Sequence, residues 1–232
     1  MRHAFDHVLV VVPAHDEAEL LGRQLAAITT AVRYAAWLRP QTVVSTTVVL
    51  DSCTDGSAEV VARFTAIDAI EAGLGCVGRA RRLGIAEARG RHELDPTRTW
   101  VACTDADSVV PRDWLSGQLD LAATGSRLVL GTVWPDPTEL EPARLRRWWA
   151  RHHLRDGHPF VHGANLGFAL DAYDQVGGFR ALPVGEDVDL VGRMRAIGVP
   201  ETATSRLPVL TSARLGGRAP AGFASYLMAL LP

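Results

Sequence analysis

The sequence predicts an α/β fold on a mostly parallel, doubly wound sheet. Three observations carry this. Short apolar, mostly β-branched runs alternate with helical stretches through the first hundred residues, at 8–12, 46–50, 66–70 and 99–103. Each run closes in a turn rich in acids, prolines or glycines, so in a parallel sheet those turns share one rim. Apolar residues make up 47% of the 232, enough to fill one sizeable core.

Taken in order, Val8-Leu9-Val10-Val11-Val12 is continuous and apolar, as a strand covered on both faces requires. Pro13-Ala14-His15-Asp16-Glu17 is its turn, and Leu20, Leu21, Leu25, Ile28 and Val32 then recur at helical spacing over 17–38 until Pro40. The second strand ends at Asp51. Ser52-Cys53-Thr54-Asp55-Gly56-Ser57 follows as a capping turn for a helix over 57–64. A weaker strand at 66–70 leads into a glycine loop at 73–78 and a helix over 79–88. The fourth strand, Thr99-Trp100-Val101-Ala102-Cys103, runs into Thr104-Asp105-Ala106-Asp107, and Pro111 opens the next helix.

Later elements mix strand and helix. A strand is expected at 128–133, a basic amphipathic helix at 141–154 and a strand at 166–170. A short helix at 171–176 ends at Gly177-Gly178, and a helix opens at Gly185-Glu186-Asp187 with acids in its first turn. A strand at 207–210 and a final short helix complete the expectation.

Composition excludes several classes. Net charge is −2, so bulk charge gives no sign of nucleic-acid binding. All 24 basic residues are arginine; any phosphate must be met by guanidinium, backbone N–H or metal. Three scattered cysteines, Cys53, Cys76 and Cys103, suit neither a disulfide framework nor a zinc site, and a reduced, cytoplasmic setting is expected. No apolar run reaches the length of a membrane span, and the first residues lack a signal-peptide core.

Asp105 and Asp107 repel one another unless a cation sits beside them; a hard divalent ion carrying a diphosphate is one solution, a solvated capping turn another. Gly73-Leu74-Gly75-Cys76-Val77-Gly78 has dinucleotide-loop spacing but follows the third strand rather than the first, so a loop bringing Arg79, Arg81 or Arg82 to a phosphate fits better. Glu186 and Asp187 are either helix-start acids or a general base. His162 is expected on the acceptor side or in a structural role. There is no nucleophile elbow, phosphate loop of the Walker type or zinc motif.

In this order the segments resemble a family 2 glycosyltransferase with the GT-A fold, over about 8–198. They are Val11 to Glu17, Val49 to Ser57, Gly78-Arg79-Ala80-Arg81, Asp105-Ala106-Asp107, Gly163-Ala164-Asn165 with Gly177-Gly178-Phe179, and Gly185-Glu186-Asp187. The resemblance implies one GT-A domain across 1–232, with a nucleotide-sugar half over about 1–110 and an α+β acceptor half over about 111–232. It implies that Pro13, Ala14 and Glu17 meet the nucleoside, Asp51 reads the base and Arg81 lies near the nucleotide. Asp105, Ala106 and Asp107 become the D-x-D motif, with Asp105 and Asp107 on Mn²⁺ or Mg²⁺. Asp187, with Glu186 beside it, becomes the base of an inverting displacement; His162 and Asn165 face the acceptor. The implied donor is a nucleoside-diphosphate sugar, a UDP-sugar foremost, and the acceptor a small or lipid-linked hydroxyl, with peripheral membrane contact allowed.

The sequence also departs from the family pattern. Leu50 stands where a second acid is common, Arg82 where asparagine is common, and no histidine follows Glu186-Asp187. Arg214 and Arg218 are expected on the diphosphate instead. The Q-x-x-R-W signature of processive synthases is absent, which favours transfer of a single sugar. A nucleotidyltransferase and a non-catalytic nucleotide-sugar-binding protein remain the competing readings.

Overall fold

The computed structural model describes residues 5–152, 154–214 and 227–228. The chain runs β1 (His7–Ala14), α1 (Ala18–Leu38), β2 (Val43–Asp51), α2 (Ser57–Val61), β3 (Asp68–Ala72), α3 (Val77–Arg91), β4 (Thr99–Cys103) and β5 (Ser108–Val109). It continues through α4 (Trp114–Ala123), β6 (Leu128–Pro135), α5 (Pro142–Arg151), β7 (Leu166–Ala169), α6 (Leu170–Gln175), α7 (Glu186–Ala196) and β8 (Glu201–Thr211).

The eight strands form one sheet in the order β3-β2-β1-β4-β7-β6-β8-β5. The first four elements of that order pair in parallel, so the turns after β1, β2 and β4 do share a rim. β7 then runs antiparallel between β4 and β6. The predicted α/β class, mostly parallel in the first half and mixed in the second, is the one observed.

Apolar patterning explains the burial. The run Val8 to Val12 is fully buried in the sheet centre. Leu21, Leu25 and Ile28 cover it from α1, and Trp100, Trp114 and Phe168 extend the core toward the mixed half. A smaller cluster, Leu140, Trp148, Ala213 and Leu227, sits apart from it.

Boundaries shift where local signals mislead. β3 is an edge strand at Asp68–Ala72 rather than 66–70, and α3 starts at Val77, inside the glycine motif. The two-residue β5 was too short to show a period, yet it pairs with Thr211 and Leu210 of β8. β8 is far longer than the expected 207–210, because Thr202, Thr204, Ser205 and Arg206 give its first half no apolar run, and it keeps Pro208 within it. It survives there because the β6–β8 register jumps from Gly131↔Thr204 to Val133↔Val209, so the residue lacking an N–H stands outside the regular ladder. Most of the expected final helix lies outside the described residues.

Candidate active site

Two turns lock to one another at the rim of the parallel sheet. Asp16, at φ 51°, takes the backbone N–H of Thr54 at 2.6 Å and of Asp55 at 3.2 Å. In return Asp55 takes the N–H of Ala18 at 2.9 Å, and Ser57 Oγ accepts from Glu17 N–H at 2.9 Å. The open first turn of α1 is thus capped by residues of the β2 turn. Asp16, Cys53 and Asp55 hold ligand atoms within 4.8 Å of one another, the one such cluster of three among the described residues. Its carboxylates serve these backbone bonds, so it reads as a structural lock.

Asp51 stands behind this lock. Its carboxylate accepts from Leu74 N–H at 2.6 Å, Gly75 N–H at 3.0 Å and Cys76 N–H at 3.1 Å. Gly75 has φ 58°, the left-handed backbone that lets successive N–H groups converge on one anion. Burial pushes the Asp51 carboxyl up, but the three N–H groups outweigh it and hold it below the usual range. The glycine motif therefore cradles a side-chain carboxylate of its own chain.

The D-x-D turn is held differently. Asp105 Oδ1 accepts from Arg81 Nη2 at 2.5 Å, and Arg81 Nη1 donates to Glu186. Asp107 faces Arg214 Nη2 at 3.1 Å, while Arg214 also grips Glu17 at 2.5 and 2.7 Å. Ala106, between the two acids, buries its methyl group. The β5–β8 pairing brings Arg214 there, with Ser212 N–H donating to Asp107 O at 3.0 Å. Burial and the neighbouring Asp105 charge push the Asp107 carboxyl up to about 6 despite Arg214. Two acids at one strand end, each already compensated by a guanidinium, form a donor set that fits a hard divalent cation.

Asp187 lies one residue beyond Glu186 in the first turn of α7, and its Oδ2 accepts from Gly163 N–H at 2.6 Å. Arg81 thereby ties the D-x-D turn to the start of α7. A Cβ at Gly163 would meet the Arg81 guanidinium at 2.5 to 2.7 Å, so glycine is required for this approach. His162 is held neutral, its pKa lowered to about 4 by burial against the opposing Asp187 charge.

Several of the expected site residues are engaged within the chain itself. Arg81 is only 2% exposed, with both terminal nitrogens engaged by Asp105 and Glu186, so it positions carboxylates rather than offering an open nucleotide contact. Glu186 is buried in that ion pair, which leaves Asp187 as the acid of the two that is partly exposed. Asn165 does not face an acceptor. Its Nδ2 donates to Thr132 O at 2.9 Å and Leu207 O at 2.7 Å, and its Oδ1 accepts from Trp114 Nε1 at 2.9 Å, joining α4, β6 and β8 inside the fold. Glu17 is buried and engaged by Arg214; Pro13 is half-buried; Ala14 is buried, and its carbonyl accepts from the Cys53 thiol at 3.4 Å. Arg218 lies outside the described residues.

Gln24 was not foreseen. Fully buried in α1, it donates from Nε2 to Thr104 Oγ1 at 3.2 Å and Asp105 O at 3.0 Å, fixing the D-x-D turn. A polar residue among the apolar positions of α1 was its only signal.

The sheet order, the rim of turns and the paired acids define a GT-A-type fold. The chain matches the family described as Glycosyl transferase family 2 over residues 9–180 and belongs to it. Similar solved structures share this fold at low identity. Residues 1–349 of S. aureus TarS are 11% identical with a TM-score of 0.64, over 89% of this chain and 60% of that one. The mannosyltransferase PcManGT from Pyrobaculum calidifontis, in complex with GDP-Man and Mn²⁺, is 19% identical with a TM-score of 0.61, over 96% and 68%. GalNAc-T7 with UDP, GalNAc and Mn²⁺ is 12% identical with a TM-score of 0.65, over 88% and 43%. The chain thus spans three-fifths or less of the TarS and GalNAc-T7 chains. No curated protein matches it in sequence.

Proposed function

We propose that the chain moves one sugar from a nucleoside-diphosphate sugar, a UDP-sugar first among them, to a hydroxyl acceptor by single displacement with inversion. The observation that carries this is the Arg81 bridge. It joins Asp105, at the end of a parallel strand, to Glu186, beside a second, partly exposed acid at the start of α7. A cation site and a base site are thus held across one guanidinium.

In this reading residues 1–110 receive the donor and 111–232 the acceptor. The β1 and β2 turns, with Pro13, Ala14, Glu17 and Asp51, line the nucleoside side. Asp105 and Asp107 would hold Mn²⁺ or Mg²⁺, the ion type named with PcManGT and GalNAc-T7; bound there, it would stabilise charge on the departing diphosphate. Arg214, now on Asp107, would turn its fork toward phosphate oxygens once a cation takes that carboxylate. Asp187 would accept the proton of the attacking hydroxyl, held in place by Gly163 N–H. Neutral His162 beside it keeps a second positive charge away from that carboxylate. The acceptor would be small or lipid-linked and reached from the cytoplasm. No helix among the described residues is long and apolar enough to cross a membrane.

The test is transfer from a panel of UDP-, GDP-, dTDP- and CDP-sugars, scoring donor consumption with Mn²⁺ and with chelator, plus and minus hydroxyl acceptors. Acceptor-dependent loss of one donor supports the reading. Donor binding without turnover across the acceptor panel would instead favour a binding protein.

A further inference from the structure

We propose that α5 and the turn after it form a docking surface for an anionic lipid membrane. The segment 141–155 reads Glu-Pro-Ala-Arg-Leu-Arg-Arg-Trp-Trp-Ala-Arg-His-His-Leu-Arg: five arginines and one acid, in a chain whose net charge is −2. The single acid, Glu141, is committed to capping the helix, accepting from Ala143 N–H at 3.0 Å and Arg144 N–H at 3.3 Å. Elsewhere several exposed or part-exposed arginines are matched to acids, as in Arg39–Asp120, Arg89–Asp174 and Arg195–Glu201, while Arg33, Arg63, Arg79, Arg82 and Arg112 are exposed without an acid among the described residues and lie scattered over other elements. Arg146, Arg151 and Arg155 are exposed and form no ion pair among the described residues. Three such arginines thus fall within one stretch of about ten residues, on the surface of α5 and the turn after it.

That surface also carries an aromatic anchor. Trp148 faces inward at 1% exposure and fixes α5 against Leu140 and Ala213. Trp149 points outward at 41% exposure, braced edge-on by Trp134 at 5.2 Å and Trp148 at 4.7 Å. A rigid indole among guanidinium forks suits the zone between phosphate headgroups and acyl chains. An acidic protein or a nucleic acid would supply the charges but gives the exposed indole no comparable apolar layer.

The surface is joined to the candidate active site by ring contacts. Trp148 stacks on His152 at 4.4 Å, His152 meets Phe160 at 5.5 Å, and Phe160 meets His162 at 6.1 Å. The next residue, Gly163, donates to Asp187. A membrane at α5 would present a lipid-linked hydroxyl toward Asp187; that consequence rests on the proposed glycosyl transfer, whereas the docking itself does not.

The test is sedimentation of the full chain with vesicles, without nucleotide or acceptor, so its result is independent of catalysis. Binding is expected to mixed phosphatidylcholine–phosphatidylglycerol vesicles, to weaken with salt and to be absent with phosphatidylcholine alone. Combined Arg146→Gln, Arg151→Gln and Arg155→Gln should lower the vesicle affinity on the order of 100-fold while leaving the circular-dichroism spectrum unchanged. Trp149→Phe should remove most of the vesicle-induced blue shift of tryptophan emission. Equal binding by the triple variant, equal binding to neutral vesicles, or binding to heparin or DNA with none to vesicles would overturn the proposal.

Discussion

The β2 turn and the β4 turn both carry buried or half-buried acid at the same rim, yet they neutralise it by different means. Asp51 is held by three backbone N–H groups from a loop fixed by Gly75, and its carboxyl sits low. Asp107 is buried beside the charge of Asp105, and the positive group facing it, Arg214, comes from just beyond β8; its carboxyl rises to about 6. Backbone donors cannot leave without unfolding the loop, so the β2 turn is a fixed wall. A guanidinium on a side chain can be exchanged for another cation, so under the proposed function the β4 turn is where charge would be swapped.

Substitutions at the rim should therefore fail in different ways. The largest effect is expected at Asp107→Ala, which should weaken cation-dependent nucleotide binding on the order of 100-fold in calorimetry. In the native chain Asp107 takes a proton as pH falls below about 6, so Mn²⁺ affinity should drop about tenfold per unit below that point. Affinity that stays flat from pH 7 to pH 5 would separate the cation from this carboxylate.

Asp187→Asn sharpens the comparison from the acceptor side. It keeps a hydrogen-bond acceptor for Gly163 N–H but no base, so transfer should fall roughly 10²- to 10⁴-fold with nucleotide affinity unchanged. Loss of nucleotide binding in this variant would mean that Asp187 serves the donor side.

Asn165→Ala should cost stability rather than chemistry. It strands Trp114 Nε1 and two buried carbonyls, which predicts a loss of about 2–4 kcal/mol and a lower Tm. Gly131→Ala should fail similarly, because its Cβ would meet the Asn165 amide at 2.1–2.5 Å. A stable, inactive Asn165→Ala would restore the acceptor-side role.

The smallest expected effect concerns His162. Its folded pKa, about 4, lies below the unfolded value, so the unfolded chain binds the extra proton first. Stability is therefore lost as pH falls from about 6.5 toward 4. His162→Gln should flatten that part of the Tm–pH curve; an unchanged slope would assign it to another group.

The same contrast explains what could be read from the sequence. The parallel strands β1, β2 and β4 announce themselves by apolar runs, and their turns follow directly, so the class, the rim and the D-x-D pair were legible. What was not legible depends on pairing across long separations. β5 has two residues and exists only because β8 returns beside it. Asn165 sits in a Gly-Ala-Asn turn that looks exposed in sequence, yet Trp114, Thr132 and Leu207 close around it. Arg81 is charged and helical, which ordinarily means solvent; Gly163 and Phe179 enclose it, and Asp105 and Glu186 compensate it. Gln24 gave a weak signal for the same reason.

In the proposed function the β4 acids and the turns of β1 and β2 form one cation-dependent nucleoside-diphosphate site. Calorimetry of UDP, GDP, dTDP and CDP, each with Mn²⁺ and with chelator, tests it most directly. Binding of one nucleotide, UDP foremost, is expected, which chelator removes and Asp107→Ala weakens on the order of 100-fold. Binding of that nucleotide with equal affinity in chelator and in Asp107→Ala would contradict it.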